Sequence, residues 1–262
     1  MSDPLPLSVL LLARDETRQI EALLPRLAFA REVIVVWDSR GDEATRAAAK
    51  RLGARVVNHP FAGFGAQRQV ALAACTETWV LWIDADEAPD TAFESALRAA
   101  LAPTAAGPGA AGWRVMRRTW FLGRRIRFCG WGDERLLRVF RREAARFDDA
   151  LVHERVTLAG EIADLGAGLE HHSYESLETC REKMHRYALA GADQAWTSGR
   201  RAGALDVLVR PPLRFLRQYV LQLGFLDGAH GVVLCGFSAA QVFLKYALLW
   251  RRTRSERRAG AA

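Results

Sequence analysis

The sequence predicts an α/β protein: a mostly parallel sheet flanked by helices, followed by a helical C-terminal extension. Three observations carry this. Apolar runs of strand length, without polar alternation, recur through the first hundred residues, as strands covered on both faces require. Segments of helical period stand between those runs. From Glu175 onward the strand pattern stops and helical spacing alone remains.

Residues 7–13 form the first apolar run, and residues 16–28 carry Ile20, Leu23, Leu24 and Leu27 at helical spacing. Residues 33–37 are a β-branched run. Residues 45–52 read as helix, 54–57 as a short strand, 66–74 as helix and 79–83 as a strand. Pro89 is placed at the start of a helix that runs to about Leu101. PTAAGPG at 103–109 reads as a linker. Shorter strands follow at 112–116, 125–129 and 136–140. Residues 175–198 form one long helix, Pro211 opens another that ends near Gly224, and 232–250 is a third. The last is nearly apolar, with Gln241 and Lys245 interrupting it, which suits membrane contact better than a span.

Half of the 262 residues are hydrophobic and 26% are charged, which excludes a disordered or collagenous chain. The cysteines at 75, 129, 180 and 235 form no CxxC and fit a reducing compartment. The apolar stretch 7–13 follows an acid and precedes Arg14, so it reads as a buried strand and not as a signal peptide. The net charge of +7 is compatible with nucleic acid, an anionic membrane or a phosphorylated substrate. Its distribution decides. Arginines cluster with apolar helices from Arg200 to the end, with Arg210, Arg214 and Arg217 on one face, and no nucleic-acid reader motif is present. An anionic inner-membrane surface is the expected partner, and no nucleic acid.

Chemistry concentrates in WVLWIDADEAPD, where a buried strand ends in Asp84, Asp86 and Glu87. Carboxylates crowded at a strand end repel one another and call for a cation. Hard oxygen ligands select Mg²⁺ or Mn²⁺, ions that bridge to substrate phosphates. The other reading is a solvated turn capping the next helix. Asp38 ends a second strand, suited to a base or ribose or to a helix N-cap, and Asp15 and Glu16 end the first. Parallel sheets bind ligands at these strand ends.

In this order, the strand followed by Arg14-Asp15-Glu16, then VVWDS, GFGAQRQVALAAC and DADE, resembles the GT-A domain of family 2 glycosyltransferases. GWGDERLLRVFRR at 130–142, His153-Glu154, LEHHSY at 169–174, the Lys183 to Tyr187 helix and GFLDG at 224–228 extend the likeness. They point to the bacterial lipopolysaccharide-core β-1,4-glucosyltransferase group. The resemblance implies a GT-A, Rossmann-like domain over 1–174, with a nucleotide-sugar half at about 1–102 and an acceptor half at about 110–174. A basic, amphipathic, membrane-associating extension then fills 175–262.

It also implies an inverting enzyme that moves a sugar, glucose, from a UDP-sugar to an inner-core lipopolysaccharide acceptor. A polyprenyl phosphate or another cell-envelope glycan is the alternative acceptor. By position, Asp38 holds the uracil, Arg68 lies near the nucleotide together with Asp15 and Glu16, Asp84 meets the ribose side and Asp86 ligates the metal. Two departures stand out: Asp15 replaces the family's usual Asn, and Ser39-Arg40-Gly41-Asp42-Glu43 replaces a small-residue turn. Inversion needs a carboxylate base, and Glu134 is the expected one, with Asp133 second. The competing reading pairs both with Arg135 or Arg138 on a surface turn. His153, Glu154 and Arg138 are placed at the acceptor or the metal. The expected location is the cytoplasmic face of the inner membrane.

Overall fold

The computed structural model describes residues 3–102, 110–148 and 156–259. These form two compact units: Met1–Arg118 with Glu134–His171, and Thr119–Asp133 with His172–Ala262.

The elements run β1 (Leu5–Ala13), α1 (Thr17–Leu23), β2 (Ala30–Asp38), α2 (Glu43–Arg51), β3 (Arg55–His59), α3 (Phe64–Ala74), β4 (Trp79–Trp82), β5 (Glu87–Pro89) and α4 (Phe93–Leu101). Then come β6 (Ala110–Phe121), β7 (Arg124–Arg125), β8 (Glu134–Arg141), β9 (Ala145–Phe147), β10 (Val156–Leu158), β11 (Glu161–Tyr174), α5 (Leu177–Thr197), α6 (Ala204–Leu216) and α7 (Gly228–Ala259).

Among the described residues the main sheet has the order β3-β2-β1-β4-β8-β6-β11-β5, with β7 paired to β6. β3, β2, β1 and β4 are mutually parallel. β8 joins β4 antiparallel, and β6 joins β8 antiparallel. This is the expected GT-A-like arrangement of α/β elements around a parallel core.

Alternation along the strands sends side chains to two cores. Leu7, Val9, Leu11, Val35, Leu81 and Ile83 pack on one face with Ile20, Leu23 and Phe93 from the helices. Leu10, Ile34, Val36 and Val80 pack on the other with Ala71 and Leu72 of α3. Covering on both faces is why these strands carry no polar alternation.

Three expectations are corrected. Pro89 opens no helix. It ends β5, at the sheet's edge, where a missing N–H costs nothing. The helix begins at Phe93, after Asp90 accepts the Ala92 and Phe93 amides. Pro211 does not open α6 either. Asp206 accepts the Gly203 amide at 2.9 Å and starts the helix at Ala204, so Pro211 and Pro212 lie inside it. The chain then loosens into a π-helical turn at Arg217–Leu221. Finally, the strand expected at 125–129 shrinks to Arg124–Arg125, because the Arg127 and Phe128 amides bond Asp227 and not a strand, and Cys129 and Gly130 then turn the chain with φ of 60° and 69°.

In the second unit, β6 and β7 turn through Leu122 and Gly123, whose φ values are 49° and 76°. Positive φ at both central residues is the geometry of a tight two-residue hairpin. Buried Asp227 accepts the amides of Arg127 at 3.1 Å and Phe128 at 2.9 Å. Gln218 donates to the Cys129 carbonyl at 3.1 Å. A Cβ on Gly231 would fall 2.0 Å from the Gly224 carbonyl oxygen, so GFLDGAHG is a packing motif that fixes the 127–129 turn.

Small residues on α5, Ala188, Ala192 and Ala195, are buried in this unit, where α5 and α6 both pack on α7. By length and composition the Gly224–Arg258 segment could cross a membrane.

Candidate active site

The carboxyl ends of β1, β2 and β4 meet at one edge because the strands are parallel. Asp15 and Glu16 follow β1, Asp38 ends β2, Asp84 and Asp86 follow β4, and α3 adds Arg68.

Asp38 is 4% exposed. It caps no helix; Asp42 does that for α2, accepting from the Thr45 amide at 2.8 Å. Asp38 instead accepts the Arg40 amide at 3.2 Å, the Arg40 guanidinium at 3.1 and 3.2 Å, and the Phe61 amide at 3.2 Å. Desolvation works to raise its pKa, but the hydrogen bonds from Arg40 and Phe61 outweigh it and hold the carboxyl below the usual range. Arg40, from the turn that departs from the family pattern, is thus Asp38's partner. Asp15 accepts the Asp42 amide at 2.8 Å and ties the 38–42 turn to the end of β1.

The chain leaves strand geometry after Trp82, and the Glu87 amide closes a turn onto the Asp84 carbonyl at 3.0 Å. Inside that turn Glu87 is 1% exposed and Arg138 is 2% exposed, and the two pair. Arg138, expected at the acceptor or the metal, is held by two carboxylates of the strand-end turn. It is a buried positioning residue that also donates to Asp84 at 3.0 Å. Arg68 donates to the other Asp84 oxygen at 3.1 and 3.2 Å. Both guanidiniums rest on the Trp82 ring, 4.0 Å (Arg68) and 4.3 Å (Arg138) from its centroid. Desolvation opposes ionisation of Asp84, yet Arg138 and Arg68 hold its pKa down; burial pushes that of Glu87 up.

His171 Nε2 lies 3.4 Å from Asp86. Burial holds the Glu16 carboxyl above the usual range, and the charges of Asp15 and Asp86 add to the shift against two amide hydrogen bonds. Among the described residues no three of His, Cys, Asp and Glu form a metal cage. Donors of this kind fit a hard divalent cation held by one carboxylate and completed by phosphate oxygens. The crowding of Glu16 and Asp86 is what such an ion would relieve.

Glu134 begins β8 and pairs with Arg117, whose other nitrogen lies 3.8 Å from Glu87. Asp133 belongs to the other unit and pairs with Arg125 at 2.6 Å. Neither acid pairs with Arg135, which is bound to Asp164, or with Arg138. His153 and Glu154 lie outside the described residues.

The sequence groups Glu87 with Asp84 and Asp86 in one carboxylate cluster and does not single out Arg117. Glu87 starts β5 and is buried against Arg138. Arg117 sits on a strand whose arginines (Arg114, Arg117, Arg118) follow no strict alternation, so the pattern does not say which of them carries a partner.

Residues 17–157 match the family described as glycosyl transferase family 2. The chain belongs to that family and is a glycosyltransferase. It is 29% identical, over 95% of its length and 96% of the relative's, to a Rhizobium meliloti (strain 1021) protein named lipopolysaccharide core biosynthesis glycosyltransferase LpsC. An uncharacterized glycosyltransferase of Rickettsia conorii is 32% identical over 31% of this chain and 29% of its own. Among solved structures, S. aureus TarS 1-349 in complex with UDP-GlcNAc superposes with a TM-score of 0.44 at 13% identity, covering 97% of this chain and 92% of that one.

Proposed function

We propose that this protein is an inverting, UDP-sugar-dependent glycosyltransferase that adds a hexose, glucose by the resemblance, to an inner-core lipopolysaccharide acceptor. The observation that carries the reading is the convergence of Asp38, Arg68, Asp84 and Asp86 at the carboxyl ends of parallel strands in a family 2 chain. The near-full-length relative named for lipopolysaccharide core biosynthesis supports the acceptor class.

In this reading Asp38 receives the uracil, Arg40 swinging away. Arg68 and Arg138 keep Asp84 ionised and oriented toward the ribose. Asp86, with His171 beside it, holds Mg²⁺ or Mn²⁺, which when bound neutralises charge developing on the departing diphosphate. Glu134, oriented by Arg117, takes the proton of the acceptor hydroxyl as that oxygen bonds to the anomeric carbon. The bond from that carbon to UDP breaks on the opposite side, so the configuration inverts.

The protein would work peripherally on an anionic bilayer. Leu205, Leu208, Val209, Leu213 and Leu216 of α6 recur at helical spacing and are 75%, 67%, 45%, 57% and 52% exposed. An outward apolar stripe among arginines is the pattern of an interfacial helix.

The test is thermal stabilisation and slow hydrolysis across nucleotide sugars with Mn²⁺ present. UDP should stabilise by about 2.7 kcal/mol at a hundredfold excess over Kd, and GDP and ADP should not. Equal stabilisation by all three would sink the donor assignment.

A further inference from the structure

The second unit holds an open cavity of about 490 Å³ lined by Trp120, Arg124, Arg125, Arg127, Phe128 and Asp227, among others. That volume lies in the range of small-molecule sites. Its charge is unbalanced. Asp227 spends both oxygens on the Arg127 and Phe128 amides. Arg125 is held by Asp133, yet its Nε is buried without a partner. Arg124 and Arg127 are exposed and make no ion pair among the described residues.

The tight hairpin at Leu122 and Gly123 and the clamp of Asp227 on the 127–128 backbone fix both sides of this cluster. Concentrated guanidiniums on a rigid backbone recognise phosphate or carboxylate by paired hydrogen bonds. Trp120, stacked 5.5 Å from His172, adds a flat apolar wall with a polar edge, which suits the face of a sugar ring. Leu226, 51% exposed, stands at the same cavity, and Phe225 beside it in the chain is 47% exposed.

We propose that this cavity binds a phosphate-bearing saccharide headgroup of a glycolipid, with Leu226 facing the lipid. Resting on the proposed function, it gives the acceptor a binding site, and the acceptor a charge requirement, separate from the donor residues.

The test uses the full chain, saturated with UDP and Mn²⁺ so that the nucleotide residues are filled. Glucose 6-phosphate, glucose and inorganic phosphate are titrated by calorimetry. Glucose 6-phosphate should bind at least ~10-fold more tightly than either of the others, the loss expected when one good charged contact goes. R124Q/R127Q should abolish the preference and R124K/R127K should keep part of it. W120A should bring glucose 6-phosphate down to the level of inorganic phosphate. Phosphatidylcholine vesicles carrying a bisphosphorylated glucosamine-disaccharide lipid should displace glucose 6-phosphate, and plain phosphatidylcholine vesicles should not.

Equal binding of glucose and glucose 6-phosphate overturns the proposal. So does an R124Q/R127Q variant that binds as the parent does. Failure of the lipid vesicles to compete overturns its glycolipid part. UDP binding is read in the same samples, so a failed donor assignment shows as lost UDP stabilisation with the sugar-phosphate preference intact.

Discussion

Arg138 and Glu87 form an ion pair in which the two residues are 2% and 1% exposed. Removing one partner of such a pair leaves an uncompensated buried charge. Arg138→Met should therefore destabilise the protein by roughly 3–5 kcal/mol. Adding Glu87→Gln should recover part of that loss. Chemical denaturation of the two variants checks both. If the double variant is no more stable than the single, the pair is not what Arg138 stabilises.

Glu134→Gln should lower kcat by about 10²–10⁴-fold, the range for a general base, while UDP binds as before. Asp133→Asn should keep most turnover, since that carboxylate is committed to Arg125. Single-turnover rates beside UDP titrations separate the two. Near-normal turnover in Glu134→Gln with loss in Asp133→Asn would move the base by one residue.

Asp86→Ala should abolish transfer and the Mn²⁺ dependence of UDP binding, with stability changed by no more than about 0.5 kcal/mol. The Asp86 side chain keeps 29% of its surface exposed, whereas the Arg138–Glu87 pair is buried. Full activity of this variant with added Mg²⁺ would remove Asp86 from the metal.

The hydrogen bonds that hold Asp38 ionised give a pH signature. Its pKa lies below the unfolded value of 3.8, so the contribution is complete above that value and disappears as pH falls through the folded one. Asp38→Asn should cost about 1.5–3 kcal/mol at pH 7, and the gap should close in the acid range below the unfolded value. A gap of constant size across the titration would show that shape, and not charge, sets the cost.

L208E/L213E should release the protein from phosphatidylglycerol vesicles in a flotation assay. Both side chains are more than half exposed, so folding should survive, as circular dichroism would confirm. Continued flotation would place the membrane contact elsewhere.

The parallel half of the sheet was legible because strands buried on both faces must be continuously apolar, as 7–13 and 79–83 are. The strand-end acids followed from the same logic. What escaped was decided by long-range partners. Pro211 lost its helix start to Asp206, which lies five residues upstream. Glu87 and Asp86 are adjacent and chemically alike, yet Arg138 arrives from β8 to bury Glu87, while Asp86 keeps part of its side chain exposed beside His171. Asp227 could be read as part of a motif, but its hold on Arg127 and Phe128, a hundred residues away in sequence, could not.

Arg40 gives Asp38 a tethered competitor. A guanidinium two residues away is present at an effective concentration that no free ligand matches. On the proposed function, a base arriving at Asp38 would exchange with Arg40 and would not fill an empty place. Apparent affinity is reduced by the fraction of time the arginine stays home. On the same reading, the freed guanidinium would be a positive charge released beside the nucleotide, and one side chain would govern both admission and retention.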